Sequence, residues 1–399
     1  MTSTLHGHRQ EVSNRASDSP ELSFAFRFQR YLSHPTIINL GLRLLSAARI
    51  PIDTYARFSF AGLPYEEVHA ILTRIRSLAA WPEEWAKAAR EDYKRAEEAL
   101  TVGRATTACQ LFLQAALKYH YAEFILYDRL EYKQELVQLC ARAYQRAAPL
   151  FDPPARRVTI SFREVELPGY LRVPWEASRP PCVIVVNGGN SVKEELHVWA
   201  EGLLQRELAV LYIDGPGGGE VWPQMKLIVE QEEVAGAVID WLARDGTVDS
   251  ERVGLCGMSL GGWKVLRMAA FEPRVRACAS ISAPYDPRPY YRYFPALIQS
   301  EILYAAGFPD QAEINRLLEA ATLRGVVERV RCPTLVVGAG RDMLVPGSEA
   351  RRIYQALPGP KDFLFYPNDS HVCFEHFSEM AYRVWDWMVG QLADQGGDQ

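Results

Sequence analysis

The residues best suited to do chemistry are a serine, an aspartate and a histidine in the second half of the chain. Ser259 stands in Gly257-Met258-Ser259-Leu260-Gly261, followed by Gly262. The run comes directly after a short apolar stretch, residues 253–256, and directly before a helical one, 262–270. A serine at a sharp strand-to-helix turn is held in a strained backbone conformation, and small residues two before and two after it avoid clashes. Such a turn lifts the hydroxyl above the sheet at a helix N-terminus, whose partial positive charge favours a developing anion. A serine hydroxyl is a weak nucleophile, so it needs a base, and the base needs an acid to orient it. Beyond Ser259 the only histidines are His371 and His376. His371 ends the polar turn Asn368-Asp369-Ser370-His371, after the last strand-like run, whereas His376 reads as a surface residue of the next helix. Asp342, in Gly340-Arg341-Asp342-Met343-Leu344-Val345-Pro346, follows the run 334–337 and suits the second imidazole nitrogen. Asp369, two residues from His371, reads as a shaper of its turn.

This chemistry is acyl transfer, and it creates an oxyanion that needs hydrogen-bond donors. One backbone N–H should come from Leu260 and the other from Gly189 or Asn190, in the loop Asn187-Gly188-Gly189-Asn190. The substrate expected is a small molecule bearing a carbonyl group. Met258, Glu194, Tyr285 and Tyr290 are candidates to line its pocket. Glu194 and Glu195 read rather as solvated charges opening a helix, and the aromatic run around Tyr290-Tyr291-Arg292-Tyr293-Phe294 equally as packing. The loop Asp214-Gly215-Pro216-Gly217-Gly218-Gly219-Glu220 fails the dinucleotide pattern, because Glu220 takes the third glycine's place. It reads as a flexible loop beside the site. Clustered metal-ligand spacing is missing too, so neither cofactor nor metal is expected.

These groups need a scaffold. Apolar runs rich in β-branched residues, bounded by Pro and Gly, occur at 157–162, 169–173, 182–186, 209–213, 253–256, 277–282, 334–337 and 362–366. Helical stretches such as 227–243 separate the later runs, which predicts an α/β class with a mainly parallel eight-stranded sheet covered on both faces. The first two runs, close together, fit an antiparallel entry. The interval 286–331 is longer than a crossover requires, which predicts a helical lid over the sheet's carboxyl edge.

Upstream the pattern is helical. Trp85, Ala89, Tyr93, Ala96 and Leu100 share one helix face, with Pro82 near its start and Gly103 at its stop. Ala108, Leu111, Phe112, Ala115, Tyr119 and Ala122 share a second; Leu136, Leu139, Cys140 and Tyr144 share a third. The expected organisation is a mobile polar tail over 1–20, a helical module over 21–152 and a catalytic region over 153–399. The chain, 399 residues with 48% hydrophobic and 23% charged, can bury a large core. A net charge of −5 gives no reason to expect nucleic acid or an anionic membrane as partner. Seven scattered cysteines, a polar N-terminus and the lack of a long apolar run point to a reducing compartment, the cytoplasm.

With these motifs together, the chain resembles one branch of the α/β-hydrolases. That branch holds 2,6-dihydroxypseudooxynicotine hydrolase, the fungal polyketide-shortening hydrolases and the fermentation-respiration switch esterases. The resemblance rests on the helical module with Trp85 and Gly103-Arg104, the Asn187 loop, Asp214-Gly215-Pro216-Gly217, the Ser259 turn, and the Asp342 and His371 loops. The intervals of 83 residues from Ser259 to Asp342 and 29 more to His371 also look like that branch. The resemblance implies a helical module over the site, often a homodimer, and in some members hydrolysis of a carbon–carbon bond between two carbonyls. Esterases in the branch leave carboxylester, thioester or acyl-transfer chemistry open, and a non-catalytic ligand-binding protein is the reading from another class.

Overall fold

A computed structural model describes residues 22–49 and 52–393. The segment 1–20, expected as a tail, lies outside the described residues. Seven helices come first: α1 (Phe24–Leu32), α2 (Pro35–Leu45), α3 (Ile52–Phe60), α4 (Tyr65–Arg74), α5 (Ala80–Thr101), α6 (Ala105–Glu123) and α7 (Leu130–Ala147). The longest of them follow the predicted faces. Trp85, Ala89 and Ala96 of α5 are fully buried, and all six apolar positions of the second face are buried on α6. Pro82 sits in the first turn of α5, and Gly103 ends it with a positive φ of 75°, a conformation that glycine adopts without strain.

The strands are β1 (Arg156–Phe162), β2 (Val165–Arg172), β3 (Pro181–Val186), β4 (Ala209–Ile213), β5 (Asp249–Met258), β6 (Val275–Ile281), β7 (Thr334–Ala339) and β8 (Lys361–Tyr366). They form one sheet in the order β1-β2-β4-β3-β5-β6-β7-β8. β1 and β2 pair antiparallel, β2 meets β4 antiparallel, and every other pairing is parallel. Between the strands run α8 (His197–Leu204), α9 (Gln231–Asp245), α10 (Leu260–Phe271), α11 (Ala296–Ala305), α12 (Gln311–Ala320) and α13 (Gly347–Ala356), and α14 (Phe377–Leu392) closes the described chain.

A parallel strand buried on both faces has no polar side, which is why β3 reads Cys-Val-Ile-Val-Val. Alternate residues of β3 enter two separate cores. Val183 and Val185 join a core with α8, α14 and the helical module, whereas Cys182, Ile184 and Val186 join one with α9, α10 and α13. The module is therefore part of the sheet's cover. A polar rung crosses the seam as well: Tyr144 on α7 lies 2.7 Å from the Tyr212 hydroxyl on β4 and 2.9 Å from His197 Nδ1 on α8. The interval expected as a lid carries α11 and α12, between β6 and β7. No helix among the described residues is long and apolar enough to cross a membrane.

Candidate active site

Ser259 sits at the junction of β5 and α10 with φ 56° and ψ −121°, a strained conformation for a residue with a side chain. The turn is tight enough to require the neighbouring glycines. A Cβ on Gly257 would collide with the Gly261 carbonyl, and one on Gly261 would lie 2.5 Å from the Val186 carbonyl oxygen. The Ser259 N–H donates to the Ile281 carbonyl at the end of β6 (2.8 Å), and its carbonyl accepts from the Trp263 N–H (3.1 Å).

The predicted partners of the serine are held from the same strand ends. His371 Nδ1 lies 2.7 Å from Asp342 Oδ2. The other Asp342 oxygen accepts the backbone N–H groups of Leu344 (2.8 Å) and Val345 (2.7 Å), so both lone-pair faces are occupied. The Asp342 side chain is 1% exposed and that of His371 16%. Beside it the Val372 N–H donates to Ser282 Oγ (3.2 Å), and Ser282 directly follows Ile281, the residue that anchors Ser259. The end of β6 thus ties the histidine loop and the serine turn to one point. Asp369, the rival acid, instead faces His376 Nδ1 at 2.9 Å and 3.0 Å.

On the oxyanion side, Gly188 lies beside the serine turn, where an added Cβ would be 3.4 Å from the Met258 carbonyl oxygen and 3.9 Å from Ser259 Cβ. The loop is set from below: the buried Asn187 amide donates to the Ser191 carbonyl (2.8 Å) and to Asp214 Oδ1 (3.3 Å). It is set from above by Arg57 of α3. Its guanidinium donates to both oxygens of Glu195 (2.7 Å each), to Asn190 Oδ1 (3.1 Å) and to the Asn190 carbonyl (3.4 Å). Glu195 also accepts from Tyr121 (2.9 Å) and Ser191 (2.6 Å) and faces His120 Nε2 at 3.4 Å.

Several expectations need correcting. Glu194 and Glu195 are not solvated charges: Glu194 is buried and the Glu195 side chain is only 10% exposed, both within this polar layer, and Glu194 lies 2.7 Å from Lys193 Nζ. Tyr290 is fully buried in an aromatic cluster with Phe26 and Phe294, and its hydroxyl donates to Glu349 (3.2 Å). Tyr285, also buried, packs under the Arg352 guanidinium. Both tyrosines therefore do the packing that the aromatic run equally allowed. Met258 is half-buried beside Ser259 and packs on the core shared with the helical module. The Asp214 loop is tied down: Asp214 accepts the Lys193 N–H (2.9 Å), Lys193 Nζ (2.8 Å) and the Glu220 N–H (3.1 Å), and Leu227 N–H donates to the Ala305 carbonyl (2.8 Å).

Three further groups escaped sequence reasoning: Arg57, Lys133 and Glu301. A narrow cavity of about 20 Å³, room for one water, lies between the helical module and the oxyanion loop, lined among others by Glu123, Tyr127, Lys133, Gly189, Asn190 and Tyr304. Lys133 pairs with Glu123 there and lies over the Tyr127 ring. A larger cavity, about 720 Å³, opens between Arg30, Tyr291 and Leu318, and none of the three candidate catalytic residues lines it.

The comparisons agree with this geometry. The family described as Esterase FrsA-like matches residues 66–286, more than half of the chain, and the prolyl oligopeptidase family matches 191–395. The chain is 29% identical over 341 residues to 2,6-dihydropseudooxynicotine hydrolase of Paenarthrobacter nicotinovorans, spanning 85% of this chain and 91% of that one. It is 28% identical over 328 residues to 20-hydroxy-prefusarin hydrolase FUS2 of Gibberella moniliformis, spanning 69% and 78%. The crystal structure of 2,6-dihydroxy-pseudo-oxynicotine hydrolase superposes with a TM-score of 0.78 at 28% identity, over 85% of this chain and 96% of that one. From sheet order, serine turn and matches together, the chain is a hydrolase of the α/β-hydrolase superfamily and belongs to the esterase FrsA-like family.

Proposed function

We propose that the chain is a serine hydrolase working through an acyl-enzyme on Ser259, with His371 as base, Asp342 as orienting acid, and a β-diketone-type compound as substrate. The observation that carries the reading is a strained serine at the start of α10 and a 2.7 Å imidazole–carboxylate pair, the serine turn and the histidine loop both being anchored at the end of β6. With its proton held on Nδ1 by Asp342, the imidazole leaves Nε2 free to take the proton of Ser259. The alkoxide attacks a substrate carbonyl. The N–H of Leu260 and that of Gly189 or Asn190 stabilise the oxyanion, each worth about 3–4 kcal/mol. Collapse breaks the carbon–carbon bond and leaves its electron pair on the second carbonyl as an enolate, which is protonated as the imidazolium gives up its proton and returns to the neutral base. Water activated by His371 then releases the acyl group as a carboxylic acid. The β-diketone part rests on the likeness, over most of the chain, to the hydrolases of 2,6-dihydropseudooxynicotine and 20-hydroxy-prefusarin. The match to the esterase FrsA-like family favours a second reading, simple esters, which run the same steps with an easier leaving group.

The test compares wild type with Ser259→Ala on 1-phenyl-1,3-butanedione and p-nitrophenyl acetate, with fluorophosphonate labelling followed by peptide mass spectrometry. Removing a triad nucleophile lowers kcat by about 10⁶-fold, and the label should appear on Ser259 alone. Turnover of the ester but not the diketone selects the second reading. Undiminished turnover in Ser259→Ala overturns both.

A further inference from the structure

Lid helix α11 places one carboxyl group at the oxyanion loop. A Cβ built on Gly189 would collide with Glu301 Oε1, so the carboxyl lies directly against the loop whose amide is assigned to the oxyanion hole. Among the described residues Glu301 has neither a hydrogen-bond nor an ion-pair partner, although Arg57 of α3, Lys133 of α7 and the His371 imidazole share its surroundings. Glu123 of α6 is the acidic group that faces it, and the Tyr127 phenol lies within its field. Glu301 is half-buried, and its carboxyl stays unpartnered beside the loop. The helix itself is fixed: the Tyr304 ring stacks on Trp222 at 4.2 Å, and Gln134 of α7 donates to the Tyr304 hydroxyl (2.6 Å).

We infer that Glu301 is the general acid of the carbon–carbon cleavage step, giving its proton to the second carbonyl of the substrate as the bond breaks. The inference rests on the reading given under Proposed function. Ser259 loses its proton to His371 and bonds to the first carbonyl carbon. As the tetrahedral adduct collapses, the carbon–carbon electron pair moves onto the second carbonyl, whose oxygen takes the Glu301 proton and leaves as a neutral enol. The imidazolium of His371 returns a proton to the Glu301 carboxylate, directly or through water, and is then neutral. It deprotonates the incoming water and protonates Ser259 on release. The balance is one diketone and one water consumed, and one carboxylic acid and one ketone formed.

The protonation state suits the role. Burial disfavours the charged carboxylate more than Arg57, Lys133 and His371 favour it, and the carboxyl is pushed up to about 7. At neutral pH a useful fraction therefore carries the proton. Cleavage of p-nitrophenyl acetate needs no such acid, because p-nitrophenolate leaves as an anion. The two probes consequently separate the roles of Glu301 and the triad.

The experiment measures kcat for 1-phenyl-1,3-butanedione and for p-nitrophenyl acetate in wild type, Glu301→Gln and Glu301→Asp from pH 5.5 to 9. The glutamine keeps the shape and loses the transferable proton. The expected result is a loss of about 10²–10⁴-fold on the diketone in Glu301→Gln, ester turnover within about threefold of wild type, and partial recovery of diketone turnover in Glu301→Asp. In wild type, diketone kcat should fall above about pH 7 while ester turnover does not. Ester turnover in the same preparation shows that the variant is folded. Equal losses on both probes, or no loss on the diketone, overturn the inference while leaving the serine mechanism standing. Absence of diketone turnover in wild type removes the substrate reading first, and the role of Glu301 with it.

Discussion

In the proposed mechanism, proton position decides whether Ser259 can act as a nucleophile. Asp342 accepts two backbone N–H groups on Oδ1 and leaves Oδ2 for His371, which fixes the imidazole proton on Nδ1. Asp342→Asn would keep Oδ1 on the two amides and turn an NH₂ group toward His371. The ring would then carry its proton on Nε2 and have nothing with which to accept the serine proton. We expect kcat to fall about 10⁴-fold, the loss seen when a triad acid becomes an amide, with KM nearly unchanged and the fold retained. A loss under tenfold would mean that Asp342 does not set the tautomer. At this scale the sequence was most readable. The glycines around Ser259 are demanded by backbone contacts of a few ångström, and such local demands leave a fixed motif. Glu195 was misread for the opposite reason, because its partner Arg57 and its neighbours Tyr121 and His120 lie far upstream.

Helix α3 acts on the site through one side chain. Arg57 grips Glu195 with two parallel bonds and reaches Asn190 with the same planar fork. A lysine is a point charge on a flexible stem and cannot reproduce that geometry. Arg57→Lys should leave the ion pair with Glu195 while releasing Asn190 and the oxyanion loop. Each lost bond to a charged group is worth about 1.5–3 kcal/mol, so kcat should fall roughly 10- to 100-fold on ester and ketone probes alike. KM should change little. Unchanged kcat would show that the loop holds its shape without α3. The existence of the strands and long helices was legible from their periodicities, since each buries its own apolar stripe. The register of α3 against the oxyanion loop was not, because it depends on contacts 133 residues apart. Helices were expected in the long interval that holds α11, but the carboxyl of Glu301 at the Gly189 loop carries no local signal.

Across the whole molecule, the helical module and the sheet share a core, so no composition break could reveal how closely one seals the other. What joins them near the site is a layer of buried charge, and its pH response is a property of the entire fold. His120 of α6 is fully buried, with Nδ1 2.9 Å from Glu123 and Nε2 3.4 Å from Glu195, the residue that Arg57 holds. Burial disfavours its charged form, but Glu195 and Glu123 outweigh burial and raise the ring to about 9. A raised pKa in the folded state means that the charged ring stabilises the fold fully below its unfolded value, near 6.5. That contribution drains away as pH rises through about 9. A shift of this size corresponds to roughly 3 kcal/mol. The two carboxylates cannot relax toward water in the fold, so deprotonating His120 leaves them facing each other across a neutral ring. Wild type should therefore lose several degrees of Tm between pH 6.5 and 9.5 relative to His120→Gln, which lacks the titrating ring. The two melting curves should converge at the alkaline end, with the variant the less stable at pH 6.5. Because the other titrating groups are common to both proteins, the difference between the curves isolates His120. A constant offset across that range would show that the ring is neutral in the fold and that Arg57 and Lys133 alone compensate the buried carboxylates.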